Sequence, residues 1–311
     1  MTDTPGTDPL PAASGFAVDP APTVTRPLVF GVTGQVARAL RRRVPDGIFL
    51  SRAEVDLADP AACAAAVAHG AGAVDAVINA AAWTAVDAAE AEEDAARIVN
   101  AEAPGAMARA AAAAGLPFLH VSTDYVFDGT GNRPRQPDDA PAPLGAYGRT
   151  KLAGERAVAE AGGRSAVLRT SWVVSAEGAN FVRTMLALSR TRERLTVVAD
   201  QIGGPTPAGA IAAALLSMAG RLPEGQGVWH LSGAPDTSWA EFARAILAAA
   251  GRTTEVADIP ASDWPTPAPR PANSRLDCGT LARDFGIGRP DWRAALGPMV
   301  AAIEAEAQRM G

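Results

Sequence analysis

Short apolar runs alternate with helical stretches through the first half of this chain, and that rhythm constrains the fold more than any other feature. Leu28-Val29-Phe30, Ile48-Phe49-Leu50, Val74 to Asn79, Phe118 to Ser122 and Ala166-Val167-Leu168 read as strands. Helix signals fall between them. A helix runs from the glycine loop after Phe30 to about Arg43, and Asp59 caps another with Pro60 at its first position. Asp87 to Ala114 is a long alanine-rich stretch with a break near Pro104, and Tyr147 lies on a helix between the last two strands. Strands separated by helices form a parallel sheet covered on both faces, so an α/β Rossmann-type doubly wound sheet is predicted.

Ligands of such sheets bind beyond the carboxyl ends of the strands. Here those ends carry Gly31 to Gly34, Ser51-Arg52, Asn79 to Thr84 and Ser122-Thr123-Asp124. The polar candidates therefore gather on one edge. After about residue 172 the rhythm changes. Phe181 to Arg190 reads as a helix, Leu195 to Val198 as a strand, Pro207 to Arg221 as a helix and Val228 to Leu231 as a strand. Ser238 caps a helix ending near Gly251, and a proline-rich stretch from Ile259 to Pro271 follows. The expected organisation is a disordered extension over 1–25, a dinucleotide-binding domain over 26–171, and a smaller C-terminal lobe over 172–311. That lobe mainly binds substrate and returns some segments to the sheet.

Composition excludes several function classes. Net charge is −6 and the only basic run, Arg41 to Arg43, reads as a helix end, so nucleic acid is not an expected partner. No apolar run approaches the roughly 18 residues of a membrane span. Cys63 and Cys278 lie far apart, and His69, His120 and His230 do not cluster. A zinc site or disulfide framework is not expected, and a reducing, cytoplasmic setting is.

The clue to chemistry is a single lysine. Of 28 basic residues, only Lys151 is not arginine, and it stands four residues after Tyr147, one of two tyrosines. That spacing puts both on one helix face. A free phenol titrates near 10, and a neighbouring ammonium would lower that value. The compact lysine head could also donate to ribose hydroxyls, which arginine's fork does not match. Gly31-x-x-Gly34-x-x-Ala37 follows a strand and opens a helix, where amides and the helix dipole favour a pyrophosphate. Ser51-Arg52, in place of an acidic residue, leans toward NADPH and leaves NADH open. A hydroxyl of Ser122-Thr123 could hydrogen-bond a substrate carbonyl. The plain structural readings are a tight turn, a solvated arginine, a strand-end cap and a surface Tyr–Lys pair.

Taken together, certain segments resemble the dTDP-4-dehydrorhamnose reductases, which are extended short-chain dehydrogenase/reductases. They are the glycine loop, Asn79-Ala80-Ala81-Ala82-Trp83-Thr84-Ala85-Val86-Asp87, Ser122-Thr123-Asp124-Tyr125-Val126-Phe127-Asp128-Gly129, Tyr147-Gly148-x-x-Lys151-Leu152-x-Gly154-Glu155 and Arg169-Thr170-Ser171-Trp172-Val173. The resemblance continues through Asn180-Phe181, Asp200-Gln201-x-Gly203-x-Pro205-Thr206 and Pro267-x-x-Arg270-Pro271-x-Asn273-Ser274-x-Leu276, and spans residues 27 to about 298. It implies hydride transfer from the nicotinamide to C4 of dTDP-4-dehydro-L-rhamnose, giving dTDP-L-rhamnose. In that scheme Tyr147 protonates the alkoxide, Lys151 tunes it and holds the ribose, and Thr123 bonds the carbonyl oxygen. Asp124 would bond the sugar, Trp172 would pack on it, and Arg270 would meet the diphosphate. The implied cofactor residues are Gly31, Gly34, Gln35, Val36, Ser51, Arg52, Asp56, Leu57, Ala82, Trp83, Thr84 and Val121, with Tyr147 and Lys151.

Ala39 stands where some relatives carry a glutamate that helps Mg²⁺ bridge a dimer. A metal-bridged dimer is thus disfavoured, while Mg²⁺ itself and the choice of monomer or homodimer stay open. Rival readings are a reductase of another dTDP-4-keto-6-deoxysugar, a 4-epimerase, and a non-catalytic nucleotide-binding regulatory subunit. A dehydratase is disfavoured, because Tyr125 stands where its glutamate would be.

Overall fold

The computed structural model describes residues 24–310. Nearly all of the expected N-terminal extension, residues 1–23, lies outside the described residues. The first half comprises β1 (Leu28–Phe30), α1 (Gln35–Arg43), β2 (Ile48–Leu50), α2 (Pro60–Gly70), β3 (Val77–Asn79), α3 (Val86–Ala91), α4 (Glu93–Arg97), α5 (Ala103–Ala113), β4 (Phe118–Thr123), α6 (Ala146–Glu160) and β5 (Ser165–Thr170). The second half comprises β6 (Val173–Val174), α7 (Phe181–Leu188), β7 (Arg194–Val198), β8 (Ile202–Gly203), β9 (Thr206–Pro207), α8 (Ala208–Ala219) and β10 (Gln226–Leu231). It ends with β11 (Thr237–Ser238), α9 (Trp239–Ala249), β12 (Glu255–Ile259), β13 (Asn273–Ser274), α10 (Gly279–Phe285) and α11 (Trp292–Met310).

The main sheet has six strands in the order β10-β5-β4-β3-β1-β2, and every pair in it is parallel. The order reverses beside β1, the switch point at which such sheets open a crevice. One apolar cluster packs α1 and α8 against one face, including Leu40, Ile78, Leu168 and Leu215. A second packs α2 and α5 against the other, including Phe30, Val67, Met107 and Phe118. Burial of both faces explains why the strands read as continuous apolar runs. A separate cluster holds the second lobe together, with α7 and α9 on the parallel pair β7–β12 and Trp292 beneath.

Local departures from the sequence reading have visible causes. The third strand begins at Val77, not Val74, because a 3-10 turn at Ala71–Ala73 delays it. The alanine-rich stretch breaks at Glu92 and then widens into a π-turn at Ile98–Glu102, while Pro104 sits in the first turn of α5. The helical run continues through Pro104, and the wider ladder of the π-turn just before it accommodates a residue with no amide proton to donate. Helices α7 and α8 stop at Leu188 and Ala219, short of the arginines expected to end them. Among the described residues, no helix is long and apolar enough to cross a membrane.

Candidate active site

The switch-point loop is shaped by one residue. Gly31 has φ of +117°, a region L side chains rarely adopt, and lies against the Ala80 backbone. Gly34 caps α1 without any side-chain bond to the first-turn amides. A Cβ at Gly34 would meet only the Ala80 carbonyl oxygen, at 3.9 Å, so the space above those amides is open. A helix N-terminus beside such space suits a pyrophosphate. Gln35 turns the other way. Its amide donates to the Val173 carbonyl oxygen at 3.2 Å and accepts from Ser175 and Asn180, which ties the loop to the second lobe. Val36 is buried against the core.

At the end of β2, the Ser51 amide and hydroxyl both donate to Glu54. Arg52 is 85% exposed and meets Asp56 at 3.2 Å. Asp56 also accepts from the Ala58 amide, and Leu57 is buried in the core. Beyond β3, Asn100 fixes the Ala82–Thr84 loop from the π-turn. It accepts from the Trp83 amide at 2.8 Å and donates to the Trp83 carbonyl oxygen at 3.2 Å.

The candidate acid–base residues meet where β4 ends against α6. The helix approaches closely because Gly148 lies against the Tyr125 carbonyl, where any side chain would collide. Thr123 donates to Asp124 at 3.1 Å and lies beside the Tyr147 phenol, whose pKa it lowers. Tyr125 stands edge-on to Tyr147, with centroids 5.5 Å apart. Burial pushes the Tyr147 phenol up to about 12, with Thr123 pulling it down and Asp124 adding to the rise. Lys151 is not among the groups that shift it. This corrects the expectation of a lysine-depressed phenol. The reason is direction: Lys151, 1% exposed, donates to the Val121 carbonyl oxygen at 2.7 Å and lies 3.2 Å from His120 Nε2. Burial pushes its ammonium down to about 8, against the pull of Glu155.

Asp124 is also sealed in. Its Oδ2 has no hydrogen-bond partner, and burial pushes the carboxyl up to about 6. Ser122, the other hydroxyl of the strand-end pair, does not face this site. It donates to Glu155 at 2.6 Å, as part of a buried cluster with Arg169.

A cavity of about 660 Å³ opens on the other side of Tyr125. Asp87 and Arg270 line its inner end, joined by a 2.8 Å ion pair, and the Arg270 Nη1 is buried without a partner. Phe181, Trp239 and the 59% exposed Trp264 give it aromatic walls, and Arg192 a second cation. Trp172 has φ of +46° and stacks on Trp239 at 3.5 Å, with its ring over Gly203, where a Cβ would strike it. The structure thus brings Thr123, Asp124, Tyr147 and Lys151 together, with Arg270 across Tyr125.

The profile of the RmlD substrate-binding-domain family matches residues 25–305. The chain belongs to that family. A dTDP-4-dehydrorhamnose reductase from Sinorhizobium fredii is 44% identical over 287 residues, which is 88% of this chain and 96% of the relative. The structure of such a reductase from Clostridium acetobutylicum superposes with a TM-score of 0.85 at 31% identity, covering 90% of this chain and 99% of that one. That from Bacillus anthracis, in complex with NADP, gives 0.83 at 30% identity, covering 89% and 99%. The fold of the RmlD family is therefore the fold described above.

Residues missed in the sequence have different excuses. Asn79 stands among the polar strand-end residues without a role of its own, and His120 is one of three histidines that do not cluster. Asn100 is one asparagine in an alanine-rich stretch, and only its place in the π-turn gives it a role. Ala39 is buried in α1, facing the core, and no cluster of three His, Cys, Asp or Glu side chains able to hold a metal occurs among the described residues.

Proposed function

We propose that this protein reduces the C4 ketone of dTDP-4-dehydro-L-rhamnose to dTDP-L-rhamnose with NADPH, the last step of dTDP-rhamnose biosynthesis. The observation that carries this reading is the half-buried Tyr147 phenol beside Thr123, next to a cavity with two arginines and aromatic walls. A nicotinamide cofactor fits the residues present: Gly31 permits the sharp turn, and Gly34 leaves open space at an α1 N-terminus that no side chain caps. When bound, the reduced nicotinamide supplies the hydride.

The chain's own residues do the rest. Thr123 bonds the carbonyl oxygen and orients it toward Tyr147. Tyr147, neutral at physiological pH, donates its proton to the oxygen as negative charge develops there, a contribution of about 10²–10⁴ in rate. Asp124 accepts from a sugar hydroxyl at its unpaired oxygen. Arg270 and Arg192 hold the diphosphate, Phe181 and Trp239 take the base, and Trp172 covers the sugar. A cavity of this size lies within the usual range for ligand sites. Lys151 holds the ribose once its Nζ leaves His120. Arg52, free to swing from Asp56, suits a 2′-phosphate, which favours NADPH over NADH. Every one of these side chains comes from one chain, so a single protomer suffices, and two buried thiols, Cys63 and Cys278, suit the cytoplasm.

The test is consumption of NADPH with enzymatically prepared dTDP-4-dehydro-L-rhamnose, with NADH and other dTDP-4-keto-6-deoxysugars run beside it. No oxidation of either cofactor sinks the reading. Faster turnover of a different 4-keto sugar moves the substrate and keeps the chemistry.

A further inference from the structure

The hydrogen bonds behind Lys151 contain a proton count. The Ala81 amide donates to Asn79 Oδ1 at 3.1 Å, which fixes the orientation of the Asn79 side chain. Its amide nitrogen therefore faces His120 Nδ1, at 3.1 Å, and donates to it. A neutral imidazole carries one proton, so that proton sits on Nε2. Nε2 faces Lys151 Nζ at 3.2 Å. An N–H in that position needs a lone pair to point at, and an ammonium has none. Turning the Asn79 amide over does not help, because its NH₂ would then oppose the Ala81 N–H. An imidazolium is worse, since both ring nitrogens would face donors in a fully buried site.

We infer that Asn79 and His120 hold Lys151 as a free amine in the ligand-free protein, and that His120 is a positioning residue for the Tyr147–Lys151 pair. The amine is satisfied as it stands: it donates to Val121 and accepts from His120. Burial acts in the same direction, pushing Lys151 down to about 8 against the pull of Glu155. The titratable and charged groups facing this place are few. Tyr147 and Glu155 come from its own helix, His120 comes from β4, and Asp124 comes from the 3-10 turn that follows it. Glu155 is paired with Arg169 of β5, at 2.6 Å, and accepts from the Ser122 hydroxyl. Lys151 gains its proton only when Nζ moves off His120. The protonation claim rests on geometry alone; its consequence for turnover rests on the reductase reading.

Because Lys151 is the only lysine, lysine labelled at Nζ or Cε gives one side-chain resonance in the full chain. In the ligand-free protein that resonance should titrate below 8, and long-range nitrogen–proton correlations should place the His120 proton on Nε2. Asn79→Asp keeps an acceptor for Ala81 but puts a carboxylate oxygen at His120 Nδ1. The tautomer then inverts, Nε2 becomes an acceptor, and the lysine midpoint should rise by about one pH unit. The pH profile of kcat should shift with it, while the melting temperature need not follow. A wild-type His120 proton on Nδ1 overturns the inference without any variant. So does a lysine midpoint unmoved in folded Asn79→Asp. Failure of the reductase reading would leave both resonances unchanged, so the two outcomes separate.

Discussion

Two buried histidines each face a basic side chain, and they do so in opposite senses. His230 on β10 uses Nδ1 toward the Arg135 carbonyl oxygen, at 3.0 Å, which requires a proton there. Its Nε2 is left to accept from Arg169, at 3.4 Å. Arg169 keeps its charge and forks onto Glu155 at 2.6 and 2.9 Å. His120 on β4 accepts at Nδ1 and presents its proton to Lys151. Yet the two clusters are neighbours: His120 and Ser122 are two residues apart on β4, and Lys151 and Glu155 four apart on α6. The same strand and helix meet twice, once around an ion pair and once around a lysine with no bonded carboxylate. The paired cluster holds the fold together. The unpaired one is free to change its protonation, and it is the one beside Tyr147.

That contrast can be broken by substitution. The largest effect belongs to Tyr147→Phe, which should lower kcat by about 10²–10⁴ while cofactor affinity, read by fluorescence titration, stays put. Arg169→Met should behave in the opposite way. It strands Glu155 in the interior and should cost about 3–5 kcal/mol in urea denaturation. If it removed turnover and left stability alone, the assignment of the two clusters would be reversed.

Asp124→Asn tests the sealed carboxyl. Its folded pKa of about 6 lies above the unfolded value of 3.8, so the folded state binds the extra proton between them. Stability from this group is therefore present below pH 4 and lost as pH rises through 6. The substitution should stabilise the ligand-free protein by about 3 kcal/mol at pH 8 and by nothing at pH 4, while turnover falls. Equal gains at both pH values would show that the carboxyl is not held protonated. Lys151→Arg is the smallest of the four, with a drop in kcat of about tenfold or more, because a guanidinium cannot become an amine and its fork fits neither Val121 nor His120. Full activity in that variant would mean that charge alone matters.

Much of this was legible before any coordinates. Glycines at 31 and 34 after an apolar triplet place the switch-point turn, and a lone lysine four residues after a tyrosine marks the acid–base helix. Those signals are local, set by backbone freedom and helical spacing. Other parts had no local signal. The expectation that Lys151 lowers the Tyr147 phenol came from sequence proximity, but Nζ points to β4. Ser122 and Thr123 looked equivalent, and strand alternation sends one to Arg169 and the other to Tyr147. Asn100 gained a role only through a π-turn that alanine-rich sequence does not announce.

By itself, then, the sequence determined the sheet, the glycine loop that opens α1, and which side chains could move a proton. Those follow from periodicity and residue chemistry within a few turns of chain. Only the tertiary structure decided which of those side chains are charged. That depends on what strands β3, β4 and β5 place behind α6, and a buried group's protonation is fixed by the donors and acceptors it faces.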